Sequence, residues 1–286
     1  MSDWSSERLG DVVRFKAGTG FPRDMQGKRF GDLPFAKVSD MNSPGNELTL
    51  SFAENYISRD EAKSLKAFIH QPGSIAFAKI GIALTTNRRR QITCPLVLDN
   101  NMMSAEPLTG KIYQKFAYYL LLTLDFNLIS AGSALPYLTV GSLKDIAIAL
   151  PPMAEQMVIA ETLSALDDKI ELNRKTAATL EEMARALYRS WFVDFDPVST
   201  RAEGRAPAYM DATTAALFPD SFGEDGMPKG WLQKEFSGYY RVLETGKRPK
   251  GGIKEIAEGV PSIGAESIKN IGIFDYSKTK LRRVVS

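Results

Sequence analysis

From Ile159 to Trp191 a mostly apolar set recurs at alternating steps of four and three: Ile159, Leu163, Leu166, Ile170, Asn173, Ala177, Leu180, Ala184, Leu187 and Trp191. That spacing lays one narrow seam along an α-helix. Pro151 and Pro152 stand where a first helical turn tolerates proline, neither glycine nor proline follows until Pro197, and Ala, Leu, Glu, Lys and Arg fill most of the run. One helix from Pro151 to about Phe195 is expected, rising ~60 Å at 1.5 Å per residue, a spacer longer than a small domain is wide. Two residues in seven make too thin a stripe for burial in a globular core and suit one facing helix, supplied by another copy or by a later segment. Asn173 in the seam packs less well than Ile or Leu and is the kind of residue that fixes register, while Ala177 and Ala184 allow close approach of the backbones.

A chain of 286 residues suits two or three domains, and 44% hydrophobic with 24% charged residues is a globular composition. No apolar run approaches the roughly 20 residues needed to cross a bilayer, and Met1 to Trp4 lead straight into charged sequence, so a soluble, cytoplasmic protein is expected. The single cysteine, Cys94, excludes an internal disulfide framework and a cysteine-rich zinc site. The net charge of +2 divides into +3 over residues 1–150, −4 over 151–200 and +3 over 201–286. Basic ends and an acidic connector suit terminal domains that meet a polyanion while the helix stays clear of it.

Residues 1–150 read as a mixed α and β domain. Short β-type runs occur at Asp11 to Phe15, Leu33 to Val38, Ser74 to Ala78, Leu96 to Leu98 and Asp145 to Leu150, and helical pattern at Arg59 to Phe68 and Tyr113 to Leu128. Residues 151–195 are the long helix, and 196–230, rich in Pro, Gly, Ala and Asp, read as a connector. Residues 231–286 begin a second domain. A shift of 227 maps Trp4 onto Trp231, Pro22 onto Pro249, Pro34 onto Pro261 and Gly45 onto Gly272, and puts Leu9, Val13 and Phe15 on Phe236, Tyr240 and Val242. An internal repeat is expected, with the second copy incomplete, because only 56 residues run from Trp231 to Ser286. The fold class expected is α+β: a mixed domain, a long coiled-coil helix and the start of a second, similar domain.

Catalytic chemistry finds no foothold. The stretch FKAGTGF, Phe15 to Phe21, imitates a glycine-rich cofactor loop, but Arg23 stands where a third glycine belongs and Pro22 opposes the helix that would hold the ligand. Leu150 to Pro152, LPP, lacks the Asn of the Asn-Pro-Pro-aromatic motif of adenine methyltransferases. His70 is the sole histidine, in a loop after a helix and expected to be structural, and the Asp60–Glu61 and Asp167–Asp168 pairs lie on solvated helices. No metal site is expected.

The polar signal is of another kind. Thr85, Thr86, Asn87, Arg88, Arg89, Arg90 and Gln91 run unbroken between two apolar segments and read as a hairpin or long loop. Arg pairs with guanine, Asn and Gln with adenine, and Arg or Thr holds phosphate. Further candidates are Thr19, Arg23, Lys28 and Arg29 in the glycine-rich loop, Lys37, Lys79, and Ser133 and Tyr137 of the segment GSALPYLT. Three such polar loops from one domain are able to converge on a groove that binds DNA; an ordinary solvated loop is the alternative for the arginine run.

The stretch Gly132 to Val198, with PPMAEQ at Pro151, LDDKIELN at Leu166 and WFVDFDPV at Trp191, resembles the specificity subunits of type I restriction-modification systems. WSSERLG from Trp4, LFPDSFG from Leu217 and MPKGW from Met227 resemble that family's domain openings. The resemblance implies a target recognition domain followed by a conserved central helix, and a non-catalytic subunit that chooses a bipartite target on double-stranded DNA. Methyltransferase subunits carrying S-adenosylmethionine and motor-nuclease subunits using ATP and Mg are implied as partners, so no cofactor is expected on this chain. The family's usual chain has two complete domains and two antiparallel helices. Here the second domain is cut short and the second helix is absent, so a homodimer through the long helix is expected. Glu171, Arg174, Glu181 and Arg185 are candidate contacts for the methyltransferase. A coiled-coil scaffold that reads no DNA is the alternative.

Overall fold

In a computed structural model the described residues are 4–132, 135–242, 260–270, 273–275 and 280–282. The fold is α+β, in two compact units, Met1–Ala184 and Arg185–Ser286.

The described residues of the first unit hold ten strands: β1 (Ser5–Arg8), β2 (Val13–Ala17), β3 (Leu33–Ala36), β4 (Thr49–Leu50), β5 (Tyr56–Ile57), β6 (Ile75–Ala78), β7 (Arg89–Ile92), β8 (Val97–Leu98), β9 (Met102–Pro107) and β10 (Ala147–Leu150). Between them lie α1 (Leu9–Val12), α2 (Arg59–Ser64), α3 (Ile82–Thr85), α4 (Gln114–Thr123) and α5 (Val140–Lys144), and α6 (Met153–Phe192) follows. A five-stranded sheet runs β2-β9-β6-β7-β4, a smaller one β5-β3-β8, and β1 pairs with β10. The large sheet is antiparallel except where β4 joins β7.

Both faces of the large sheet are covered. Ile75 and Phe77 of β6 point into a core shared with α1, α4 and α5, while Ala76 points into a second core with Leu50, Ile92 and Met102. A third cluster joins Leu33, Phe35, Ile57 and Val97 of the small sheet to Ala62 of α2. Ser58 caps α2 in a capping box with Glu61, and that helix stops at Ser64, short of the expected Phe68. The expected Tyr113 to Leu128 helix is α4 followed by a 3-10 turn at Phe126–Ile129.

The 40 residues of α6 form one unbroken helix. Its first turns are fastened to the domain that precedes it. Gln156 is buried, its Oε1 accepting the Tyr113 N–H at 2.8 Å and its Nε2 donating to the Pro151 carbonyl at 2.8 Å. Tyr113 and Lys115 donate to Glu161, Tyr119 to Asp167 and Trp4 Nε1 to Glu155. Ile159 packs against the core of its own domain, which removes it from the expected seam. The rest of the seam lacks cover within the first unit: Leu163, Leu166, Ile170, Asn173, Ala177, Leu180 and Ala184 are exposed.

In the second unit Trp191 and Phe192 meet Phe218, and Trp231 meets Phe192, Phe195 and Phe218, an aromatic knot that leaves Trp191 half-buried; Leu187, one turn earlier, is half-buried too. The segment read as a connector carries α7 (Asp196–Ala202) and α8 (Ala212–Ala215), with Arg201 donating to the Ala215 and Phe218 carbonyls. Among the described residues four short strands follow: β11 (Val260–Ser262) pairs with β14 (Lys280–Arg282), and β12 (Ile268–Asn270) with β13 (Ile273–Phe274). Under the 227-residue shift, α1 falls on a 3-10 turn at Phe236–Tyr239 and β3 on β11. The 3-10 turn at Val38–Asn42 overlaps, under the same shift, one at Ala265–Ser267. Pro249 and Gly272 lie outside the described residues.

Candidate nucleic-acid interface

The expected loop around Asn87 is corrected. Thr85 ends α3 and Arg89 to Gln91 are β7, inside the large sheet. Arg89 is 1% exposed. It donates to the carbonyls of Asn87 and Leu124, and its guanidinium carbon lies 3.8 Å from the centre of the Phe126 ring. Burial pushes its pKa down to about 10, against the opposing pull of Asp125. Arg90, on the other face, donates to the Met41, Asn46 and Arg89 carbonyls, and burial lowers its pKa too. Asn87 takes a left-handed φ of 55°, donates to the Leu124 carbonyl and accepts from Phe126 N–H at 3.0 Å. Gln91 is half-buried in β7, and Thr86 bonds back to the Ala83 carbonyl. Of the triplet only Arg88 is exposed. Arg89, Arg90 and Asn87 hold the fold together and are withdrawn as base-reading candidates.

Other expected residues do come together, at one edge of the two sheets. β2, β3, β6 and β8 all end there and β9 begins there, because Ala17 pairs with Met103, Ala78 with Met102 and Ala36 with Leu98. Thr19 follows β2 and bridges Asp99, its N–H donating to the Leu98 carbonyl at 2.7 Å. Lys37 follows β3; its Nζ donates to Gln26 Oε1 at 2.8 Å and stands 5.2 Å from the Phe21 ring centre. Phe21 stacks on Phe35 at 3.7 Å, which fixes the glycine-rich loop to β3. Lys79 follows β6 and donates its N–H to the Asn101 carbonyl, while Tyr137, exposed, bridges Ile80. Arg88 precedes β7, whose Arg89 lies opposite Phe77, so it belongs to the same edge.

The edge is thus a ledge carrying Thr19, Lys37, Lys79, Arg88 and Tyr137. Arg23, in a 3-10 turn at Arg23–Met25, and Arg29 are exposed on the loop that flanks it. Lys28 on that loop pairs with Glu61, whose carboxyl this contact holds below the usual carboxylate range. Ser133 lies outside the described residues. The sequence reading missed Gln26 and the turn Asp99 to Asn101, which adjoins the Thr19 loop and Lys79. The nearby signal was the run Asp99-Asn100-Asn101 between two apolar segments.

His70 is wholly buried, its Nδ1 2.7 Å from Ser104 Oγ, in the core rather than at the ledge. Among the described residues no cluster of His, Cys, Asp and Glu fits a metal ion, and no helix is long and apolar enough to cross a membrane.

A family model described as the type I restriction modification DNA specificity domain matches residues 1–182. The HindI specificity subunit, of a type I restriction enzyme from Haemophilus influenzae, is 28% identical over 94% of this chain and 67% of its own length. The MjaIX specificity subunit from Methanocaldococcus jannaschii is 26% identical over 98% of this chain and 64% of its own. A solved S subunit of a type I restriction-modification system from M. genitalium aligns with 76% of this chain and 48% of its own, at 15% identity and a TM-score of 0.47. The chain spans about two thirds of the curated relatives and under half of that solved chain. The matched region holds every residue of the ledge and α6 as far as Glu182, and on that match the chain belongs to the type I restriction-modification DNA specificity domain family.

Proposed function

We propose that this chain is the non-catalytic subunit that selects the DNA target of a type I restriction-modification complex. The ledge carries the reading: three cations, a threonine and a tyrosine, gathered from separate segments onto one edge of a rigid sheet, are the groups that hold phosphates and touch base edges. Methylation with S-adenosylmethionine and ATP- and Mg-dependent translocation and cleavage then belong to methyltransferase and motor-nuclease subunits.

The test uses the complex assembled with its methyltransferase. Lys37→Gln with Lys79→Gln is expected to weaken DNA binding about tenfold at moderate salt and to lower the slope of log affinity against log salt by about 2. Unchanged affinity and slope would remove the ledge from the interface. Binding without preference for any sequence in the parent complex would leave only a scaffold.

The exposed stretch of α6 supports pairing with a second such helix, from another copy of this chain when no later segment supplies it. Leu163, Leu166, Ile170 and Leu180 each leave apolar surface uncovered, and burying a leucine against a partner contributes about 1.5–3 kcal/mol. Light scattering on the purified chain should report a dimer that Leu166→Glu with Leu180→Glu converts to a monomer. A parent chain that stays monomeric at high concentration refutes the pairing. Beside the seam, Val158, Thr162, Ala165, Leu172, Thr176, Thr179 and Met183 carry no charge, and Lys169 alone interrupts them. With the seam they leave about 160° of helix circumference nearly free of charge, wide enough for more than one packed helix. This face supports docking of the methyltransferase there rather than on the charged flank that contains Glu171 and Arg174.

A further inference from the structure

The turn between β8 and β9, Asp99 to Asn101, is held by three other segments of the domain. Asp99 N–H donates to the Ala36 carbonyl at 2.9 Å, Thr19 N–H to the Leu98 carbonyl at 2.7 Å, Gly18 N–H to the Met102 carbonyl at 3.0 Å and Lys79 N–H to the Asn101 carbonyl at 2.9 Å. Within the turn, Met102 N–H reaches the Asp99 carbonyl at 2.9 Å and Asn101 N–H reaches Asp99 Oδ1 at 2.6 Å. Residue 18 must be glycine for this to happen, since a Cβ there would lie 2.0 Å from the Asp99 carbonyl oxygen. A surface turn clamped from three sides is pre-organised, and a ligand that binds it incurs little ordering entropy.

Two asparagines stand on that turn with exposed side chains, and among the described residues neither side-chain amide makes a hydrogen bond. Elsewhere among the described residues of the same domain the amides of Asn46, Asn55, Asn87 and Asn127 are used by the fold, whereas that of exposed Asn42 is not. Asn46 Nδ2 donates to the Asp40 and Phe52 carbonyls, Asn55 Oδ1 accepts from Gly27 N–H, Asn87 bonds the backbone of Leu124 and Phe126, and Asn127 Nδ2 donates to the Thr85 carbonyl. Asn100 and Asn101 therefore present free donors and acceptors from a fixed backbone, at a turn that Thr19, Lys37 and Lys79 adjoin.

We propose that Asn100 and Asn101 read an adenine in the target. A carboxamide offers one donor and one acceptor side by side, the complement of adenine N7 and N6–H in the major groove, and Lys37 and Lys79, which adjoin the turn, are cations of the kind that hold phosphates. The assignment rests on the ledge being the DNA interface, as proposed above, and adds which groups on it carry sequence information.

The experiment takes the complex with its methyltransferase, maps its methylated adenines in DNA, and measures affinity for a duplex carrying the mapped site and for one of equal length without it. Asn100→Ala and Asn101→Ala are compared with Lys37→Gln/Lys79→Gln. Both asparagines are exposed and unbonded, so melting temperatures should stay at the parent value. At least one Asn variant is expected to lower the ratio of site to non-site affinity about tenfold, to relax the requirement for A·T at one position of the mapped sequence, and to keep the parent's salt slope. If both keep the parent's ratio and mapped sequence while the lysine variant weakens binding, the adenine reading is wrong and the ledge stands. If the lysine variant also binds as the parent does, the ledge itself is wrong and this assignment goes with it.

Discussion

Arg89→Ala is expected to cost about 3–5 kcal/mol of unfolding free energy, enough to unfold a large fraction of a marginally stable domain. The side chain fills space between β7 and the end of α4, beneath the Phe126 ring, and it covers the carbonyls of Asn87 and Leu124. Truncation opens a cavity, takes the donor from the Asn87 carbonyl and leaves the Leu124 carbonyl only the longer bond from the Asn87 amide, two losses of about 1–3 kcal/mol each that fall on one site. Arg89→Met separates them: it restores most of the packing and removes a desolvated charge, yet still takes a charged donor from both carbonyls, so about half the loss should remain. Arg88→Ala, on an exposed neighbour, should stay within about 0.5 kcal/mol of the parent. Urea unfolding of the full chain followed by circular dichroism measures all three. A parent-like midpoint for Arg89→Ala would mean that the arginine is not buried as described. The consequence for function is direct: loss of DNA binding on replacing Arg88, Arg89 and Arg90 together reports unfolding, and only Arg88 alone is an informative substitution there.

Why the triplet reads as a loop in the sequence follows from where its partners lie. A run of seven polar residues contradicts the pattern of a buried strand unless acceptors are supplied from afar. Here the Leu124 carbonyl comes from 35 residues away and the Met41 carbonyl from 49. Local periodicity carries no trace of them. β9 was missed for the converse reason: MMSAEP contains no β-branched residue, and its place between β2 and β6 is set by pairing, not by propensity. The long helix was legible because a four-three spacing bounded by prolines is a local signal, and its observed limits, Met153–Phe192, fall within three residues of the expected ones. What spacing did not reveal is that Ile159 turns to its own domain, since the first seam position and the last core position obey the same period. For the ledge, residue type pointed to Thr19, Lys37, Lys79 and Tyr137, and only strand register brought them to one edge.

Stability should fall steeply on mild acidification, and one side chain accounts for most of it. His70 is 0% exposed, its Nδ1 engaged with Ser104 Oγ and its Nε2 buried without a partner among the described residues. Burial, with Lys16 adding repulsion, pushes its pKa down from the ordinary 6.5 to about 4. Between those values the unfolded chain binds a proton that the folded chain refuses, so folding free energy is full above pH 6.5 and is lost as pH falls through 6.5 toward 4. From pH 7 to pH 5 the loss is about 2 kcal/mol, rising to about 3 at pH 4 and below. Since His70 is the sole histidine, no other imidazole shares that window. Asp40, whose carboxyl burial raises above its usual value, titrates with the opposite sign: the folded state keeps its proton longer and gains stability as pH falls through that raised pKa. Comparison with His70→Gln therefore isolates the histidine, for glutamine can still bond Ser104 but takes up no proton. Urea midpoints at pH 7 and pH 5 should differ by about 2 kcal/mol for the parent and by far less for the variant. Equal differences in the two proteins would show that the imidazole is protonated inside the fold, and with it that Ser104 and Phe68, whose ring centre lies 4.9 Å from that of the imidazole, do not seal the pocket.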